Sequence, residues 1–329
     1  PLAGQRSRTQ NTLGDLHTRK VLDLTIRLAE VMLSSGSGTA DVVATAQDVA
    51  RAYRLTDCVV DIFVTTVFVS APPTADSPPV TIVRSVQARS TDYTRVAELD
   101  RLVGRITSGG VTVDEAHAAM DEVAERPHPY PRWVATAGWA GFALGIAMLF
   151  GGNWLTCVLA AVTAAMIDRA GRLLNRIGTP FFFQHVVGGA MIATLVAVAA
   201  YYFAGQGGPT ALVATGIVML LAGMTLVGAM QDAVTGYMLT AVTRLGEAVF
   251  LTAGIVVGIL AGLQVAEILG GVTIELHVDA TETFIIPNRP LTISLAVVGA
   301  ALAGASLTVA SYAPLRSVVI AGITAGGGG

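Results

Sequence analysis

The stretch EAVFLTAGIVVGILAGLQVAEIL, residues 247–269, decides how this chain is read. Its only charges, Glu247 and Glu267, lie at or near its ends. A helix crosses the ~30 Å hydrocarbon core of a bilayer with about 20 apolar residues. A helix in a soluble protein keeps a polar face, and this stretch is apolar all round. Gly254, Gly258 and Gly262 recur at every fourth residue and form a ridge that lets another helix approach closely. Gly141 and Gly145 form a shorter ridge of the same kind, so these five glycines are predicted helix-packing positions.

Working outward, five more apolar segments stand at 134–150, 154–167, 185–204, 211–230 and 291–312. The second is short and continues amphipathically through 168–176. Mean hydropathy is +0.64. Residues 134–329 hold 6 Lys/Arg and 7 Asp/Glu, against 14 and 16 in residues 1–133. The first part can stay in water with its own core, and the second cannot. A net charge of −3 without a basic block gives nucleic-acid binding no support.

Upstream, Val21, Leu24, Leu28 and Val31 share a helical face, and 39–53 repeats the pattern. Ser34-Ser35-Gly36-Ser37-Gly38 separates the two, as a helix stop and N-cap. The β-branched run 59–69 predicts one or two strands, and 80–86 a further strand. Helices follow over 91–107 and 112–125, the second opening on a Thr112/Glu115 capping box. Cys58 and Cys157 fall in different segments and predict neither a disulfide nor a zinc site. The fold class is a mostly α polytopic membrane helix bundle with an N-terminal cytoplasmic α+β domain. Its expected parts are a flexible lead-in (1–19), the α+β domain (20–126), a proline linker (127–133) and a five-helix transmembrane unit (134–270). An extracytoplasmic loop (271–290) and a sixth transmembrane helix (291–329) follow.

Orientation follows from loop charge. If the N-terminal domain marks one side, that side carries Arg132, Arg169, Arg172, Arg176, Arg244 and Arg316, and the other carries Arg289 alone. The positive-inside rule then places the N-terminal domain in the cytoplasm and the bundle in the inner membrane. The polar start of the chain, without a secretory signal, agrees.

No motif for ATP hydrolysis, metal binding or a serine nucleophile occurs, so no catalytic residue, metal or cofactor is expected. The chemistry-bearing segment is Gln231-Asp232 with Thr235-Gly236, Arg244 and Glu247, set between two apolar runs. A charge near bilayer depth costs roughly 3 kcal/mol, so it faces a cavity or a partner. Asp232 or Glu247 can hold an ammonium group or a coupling proton, and Arg244 a carboxylate. The plainer alternative has Arg244 and Glu247 as an i, i+3 salt bridge and Asp232 as the cap of the next helix. Gly236 can open a helix toward a substrate. Gln184 and His185, after the Gly178-Thr179-Pro180 break, form a second candidate, with an interfacial aromatic belt as the alternative.

Taken in order, Leu33-Ser34-Ser35-Gly36, Val60-Asp61, Phe182-Phe183-Gln184 with Val186-Val187-Gly188-Gly189, Leu221-Ala222-Gly223-Met224-Thr225-Leu226-Val227, Gln231-Asp232, Thr235-Gly236, Arg244 and Glu247 resemble the threonine/serine exporter family. The resemblance covers about residues 20–270. It implies a cytoplasmic N-terminal domain, two five-helix units, and export of small hydroxy amino acids by antiport driven by the proton motive force. Similar architectures handle dicarboxylates. His185 departs from the family pattern, where a polar amide is expected. The chain also stops after the sixth span, so a second transmembrane unit or a homo-oligomer is expected to complete it. The expected partners are the lipid bilayer, a small amino acid and protons. The rivals are a dicarboxylate exporter, a membrane-anchored hydrolase with its site near Ser34–Ser37, and a scaffold.

Overall fold

The computed structural model describes residues 2–73, 78–86, 92–202, 209–220, 223–270 and 290–328. They form two compact units, one of Pro1–Pro129 with Val227–Arg244 and one of Tyr130–Leu226 with Leu245–Gly329.

The first unit is built on α1 (Leu2–Ser34), which joins α2 (Thr39–Ala52), α3 (Tyr93–Thr107) and α4 (Val113–Glu125) with strands β1 (Val59–Phe63), β2 (Thr66–Ala71) and β3 (Val80–Ser85). The apolar run 59–69 resolves into a hairpin, and the three strands form an antiparallel meander in the order β1-β2-β3. Val60, Ile62, Val67 and Val69 turn one face of this sheet to the core. The spacing of apolar residues marks a single face on α1. In the structure Val21, Leu22, Leu24, Thr25, Ile26 and Leu28 are all buried, because α1 lies between the sheet and helices α2, α3 and α4. The backbone of the expected lead-in is helical from Leu2, since no glycine beyond Gly4 and Gly14 and no proline interrupts it. The Thr112/Glu115 capping box is present at the start of α4. Both cysteines are free.

The second unit contains α5 (Arg132–Leu149), α6 (Trp154–Arg176), α7 (Phe181–Tyr202) and α8 (Pro209–Leu220). It also takes the start of α9 (Gly223–Val234), most of α10 (Met238–Gly270), then α11 (Pro290–Ala310) and α12 (Leu315–Gly328). Among the described residues three helices are long and apolar enough to cross a membrane, Arg132–Leu149, Phe181–Ala199 and Met238–Ile268. Helices α8 and α9 make a fourth if taken as one broken span. The count falls short of six for physical reasons. The last third of α6 carries Asp168, Arg169, Arg172 and Arg176, and the described apolar part of α11 is short. The single helix expected over 291–329 is two helices, because Tyr312 turns to φ 53° and Pro314 cannot continue α11. The expected loop 271–290 lies, but for Pro290, outside the described residues.

Glycine sets the spacing in this unit. A Cβ on Gly258 would lie 2.1 Å from the Val186 carbonyl oxygen, and one on Gly262 2.6 Å from that of Ala190. Gly254 faces Phe182 in the same way, so α7 and α10 run parallel in backbone contact. On α5, a Cβ at Gly145 would come within 2.6 Å of backbone atoms of Gly299 and Ala303, and one at Gly141 within 2.5 Å of Ser306 Oγ. The two glycine ridges therefore sit at close helix contacts, against main chain at every position but Gly141, which faces Ser306.

Candidate functional site

Two helix ends build the site, both inside the first unit. Helix α1 ends in a Schellman turn. Gly36 takes φ 100°, its N–H donates to the Leu33 carbonyl, and the Ser37 N–H donates to that of Met32 at 3.1 Å. Helix α9 ends in the same way. Gly236 takes φ 93°, its N–H donates to the Ala233 carbonyl, and the Tyr237 N–H donates to that of Asp232 at 2.8 Å. Gly236 therefore closes a helix instead of opening one. The Thr235 hydroxyl donates to the Gln231 carbonyl, which uses it locally.

These turns bring α9 and the start of α10 to the start of α2. The N-cap of α2 is Gly38, which has no side chain to satisfy the first amides. Asp232 does so from 193 residues away, its Oδ1 accepting from the Thr39 N–H at 3.2 Å. The carboxylate caps α2, whereas the sequence suggests the helix that follows Asp232. Arg244 reaches it from α10, with Nη1 2.9 Å from Oδ2. Asp232 is fully buried, and the Arg244 side chain is 11% exposed. The ion pair that spacing suggested between Arg244 and Glu247 is thus replaced by a pair with Asp232, and Glu247 is exposed. Two glycines make room. A Cβ on Gly228 would lie 2.7 Å from Arg244 Nη1, and one on Gly38 would lie 2.8 Å from Gln231 Nε2. Gln231 Nε2 donates to Asp41 Oδ2 at 3.3 Å.

Three buried oxygens in this cluster make no hydrogen bond among the described residues: Ser37 Oγ, Thr39 Oγ1 and Asp232 Oδ2. The Arg244 contact to Oδ2 is close and ionic but off the hydrogen-bond direction. Tyr237 packs on the core of this unit, and burial followed by the charges of Asp61 and Asp232 pushes its phenol up. Asp92, also buried, caps α3 through the Arg95 N–H, donates its own N–H to the Ser35 carbonyl, and places Oδ2 2.8 Å from His128 Nδ1. His128 is an exposed residue whose ring reaches a buried carboxylate.

The second candidate pair belongs to the other unit. Gln184 Nε2 donates to the Thr179 carbonyl and His185 Nδ1 contacts that of Phe181, so both serve the first turn of α7. In the same unit Arg172 pairs with Asp168, and its Nη1 donates to the Arg132 carbonyl at 3.2 Å. Sequence reading treated these arginines only as topology signals, although the i, i+4 spacing of Asp168 and Arg172 marks the pair. A cavity of about 310 Å³ between α6 and α7 is lined by uncharged residues, among them Met166, Val187, Met191 and Thr194. It offers no partner for the charges of an amino acid.

Gly38, Thr39, Asp41 and Gly228 are site residues that sequence reading did not single out. Local spacing does not point to them, because Gly38 leaves α2 without a side-chain cap of its own and the partner that supplies one lies 193 residues away.

A family model described as "Putative threonine/serine exporter" matches residues 23–266. The chain is 75% identical over 326 residues to a "Probable threonine/serine exporter" of Mycobacterium tuberculosis (strain ATCC 25618 / H37Rv), a match over 99% of this chain and 61% of that protein. It is 36% identical over 310 residues to a "Threonine/serine exporter" of Corynebacterium glutamicum, over 93% of this chain and 62% of the relative. The chain therefore spans about three fifths of the length of these relatives. No solved structure matches. On the extent of the family match, which includes both turns and the Asp232–Arg244 pair, this chain belongs to the threonine/serine exporter family.

Proposed function

We propose that the chain forms part of a secondary exporter of threonine and serine in the cytoplasmic membrane, driven by the proton gradient, with residues 20–126 on the cytoplasmic side. The observation that carries this reading is the buried Asp232–Arg244 pair at the start of the long apolar helix α10. A buried pair is a poor stabiliser compared with apolar packing of the same volume, so its presence here points to use. The two charges are the complements of an amino acid's ammonium and carboxylate. The names of the relatives support the substrate class. The clustering of Arg132, Arg169 and Arg172 around Thr136 supports a shared, cytoplasmic end for α5 and α6. A second five-helix unit or a second copy would complete the pathway.

A dicarboxylate fits the site less well, since one of its carboxylates would face Asp232. The hydrolase reading weakens because the Ser34 hydroxyl donates to the Val31 carbonyl within its own helix. The test is uptake of labelled threonine into inside-out vesicles under an imposed proton gradient. Asp232→Asn keeps the shape and an acceptor for Thr39 while removing the charge. We expect uptake to fall to background with protein still in the membrane, and undiminished uptake would remove Asp232 from the mechanism.

A further inference from the structure

We propose that the α1–α2 turn supplies half of the amino-acid site: the Thr39 amide and Arg244 take the substrate carboxylate, Asp232 takes its ammonium, and the Ser37 and Thr39 hydroxyls read the side-chain hydroxyl. This rests on the exporter reading above.

The structure holds the site closed upon itself. A protein carboxylate, Asp232, occupies the two positions that suit a substrate carboxylate, the first amide of α2 and the Arg244 guanidinium. A helix N-terminus favours an anion through its unpaired amides and its dipole. A zwitterion entering between Asp232 and Arg244 exchanges one ion pair for two and leaves no buried charge alone. A dicarboxylate or a simple amine leaves one unpaired.

The hydroxyls carry the specificity argument. Thr39 is fully buried, and neither its Oγ1 nor Ser37 Oγ makes a hydrogen bond among the described residues. Leaving a buried polar group unpaired costs roughly 1–3 kcal/mol each, and a core without function would replace both by apolar side chains. Asp232 Oδ2, the third such oxygen, lies in the same cluster and lacks a well-aligned donor, which an ammonium provides. Two unpaired hydroxyls and a carboxylate oxygen without an aligned donor match the hydroxyl and ammonium of a hydroxy amino acid. A site built to bond a substrate hydroxyl rejects the analogue lacking it far more strongly than an apolar pocket rejects one methylene.

The experiment uses inside-out vesicles holding the full-length protein and compares L-threonine with L-2-aminobutyrate, the same skeleton without the hydroxyl, as competitors for labelled threonine. The wild type is expected to prefer threonine by roughly tenfold or more. Thr39→Val, close in shape, should bring the two competitors within about a factor of three, while Thr39→Ser keeps the preference. Ser37→Ala, at a residue that is only half-buried, gives the same reading if the valine variant does not accumulate. Wild-type preference in both Thr39→Val and Ser37→Ala overturns the assignment and leaves the exporter reading standing. A wild type that moves no threonine overturns both.

Discussion

Separating Asp232 from Arg244 should cost the protein far more than a surface ion pair would. The two atoms are 2.9 Å apart, one side chain fully buried and the other nearly so. At an effective dielectric of 20 the attraction at that distance is about 6 kcal/mol, which desolvation of both groups offsets in large part. Removing one partner leaves the other buried and uncompensated, at about 3–5 kcal/mol. Arg244→Met should reach that range. Asp232→Ala should sit at its upper end, because it also strips the cap from Thr39, worth about 1 kcal/mol. The double variant has no charge left alone, so its loss should fall short of the sum by about 2–3 kcal/mol. Unfolding of the full-length protein in detergent, followed by fluorescence for all four members of the cycle, measures this coupling. Additive losses, or single losses below about 1 kcal/mol, would mean that the pair behaves like an exposed one and would refute the argument.

Gly258→Ala places a methyl group 2.1 Å from a main-chain oxygen that cannot rotate away, so α7 and α10 must separate and folded yield in the membrane should drop sharply. Gly246→Ala, on the same helix with nothing within 4 Å, should leave yield and transport at wild-type levels. Burial pushes the Cys58 thiol up to about 11 from 9.0, which lowers its thiolate fraction near neutral pH by about 100-fold. Maleimide at pH 7.5 should therefore label Cys58 slowly in the folded protein and rapidly after denaturation, as mass spectrometry of the tryptic peptide would read.

Periodicity located most of the helices in both units because burial and apolar spacing are local facts about neighbouring residues. It failed where long-range packing decides. On α1, Leu22 and Ile26 lie off the face that spacing marks, yet they are buried because elements from far along the chain cover the whole helix. The apolar segment 291–312 already stops at the break before Pro314, and only the separate helix α12 beyond it goes unread, because its Gly-rich sequence carries little apolar spacing. For the candidate site, a charge inside an apolar run drew attention to Asp232 and Arg244. Their mutual pairing could not be read from spacing, because the i, i+3 neighbour Glu247 is the nearer candidate along the helix. The link to Thr39 is invisible to any local rule, since its signal is an absence: a glycine at an N-cap.

That borrowed cap also has a temporal side. The ribosome adds about 5–20 residues each second, so the 193 residues between Thr39 and Asp232 take roughly 10–40 s to emerge. Throughout that interval α2 begins with an unclosed end, and in its second half the apolar segments from Arg132 onward leave the tunnel. The cap on α2 can close only when Asp232 arrives, so the last polar contact of the first unit forms after most of its core residues have been made.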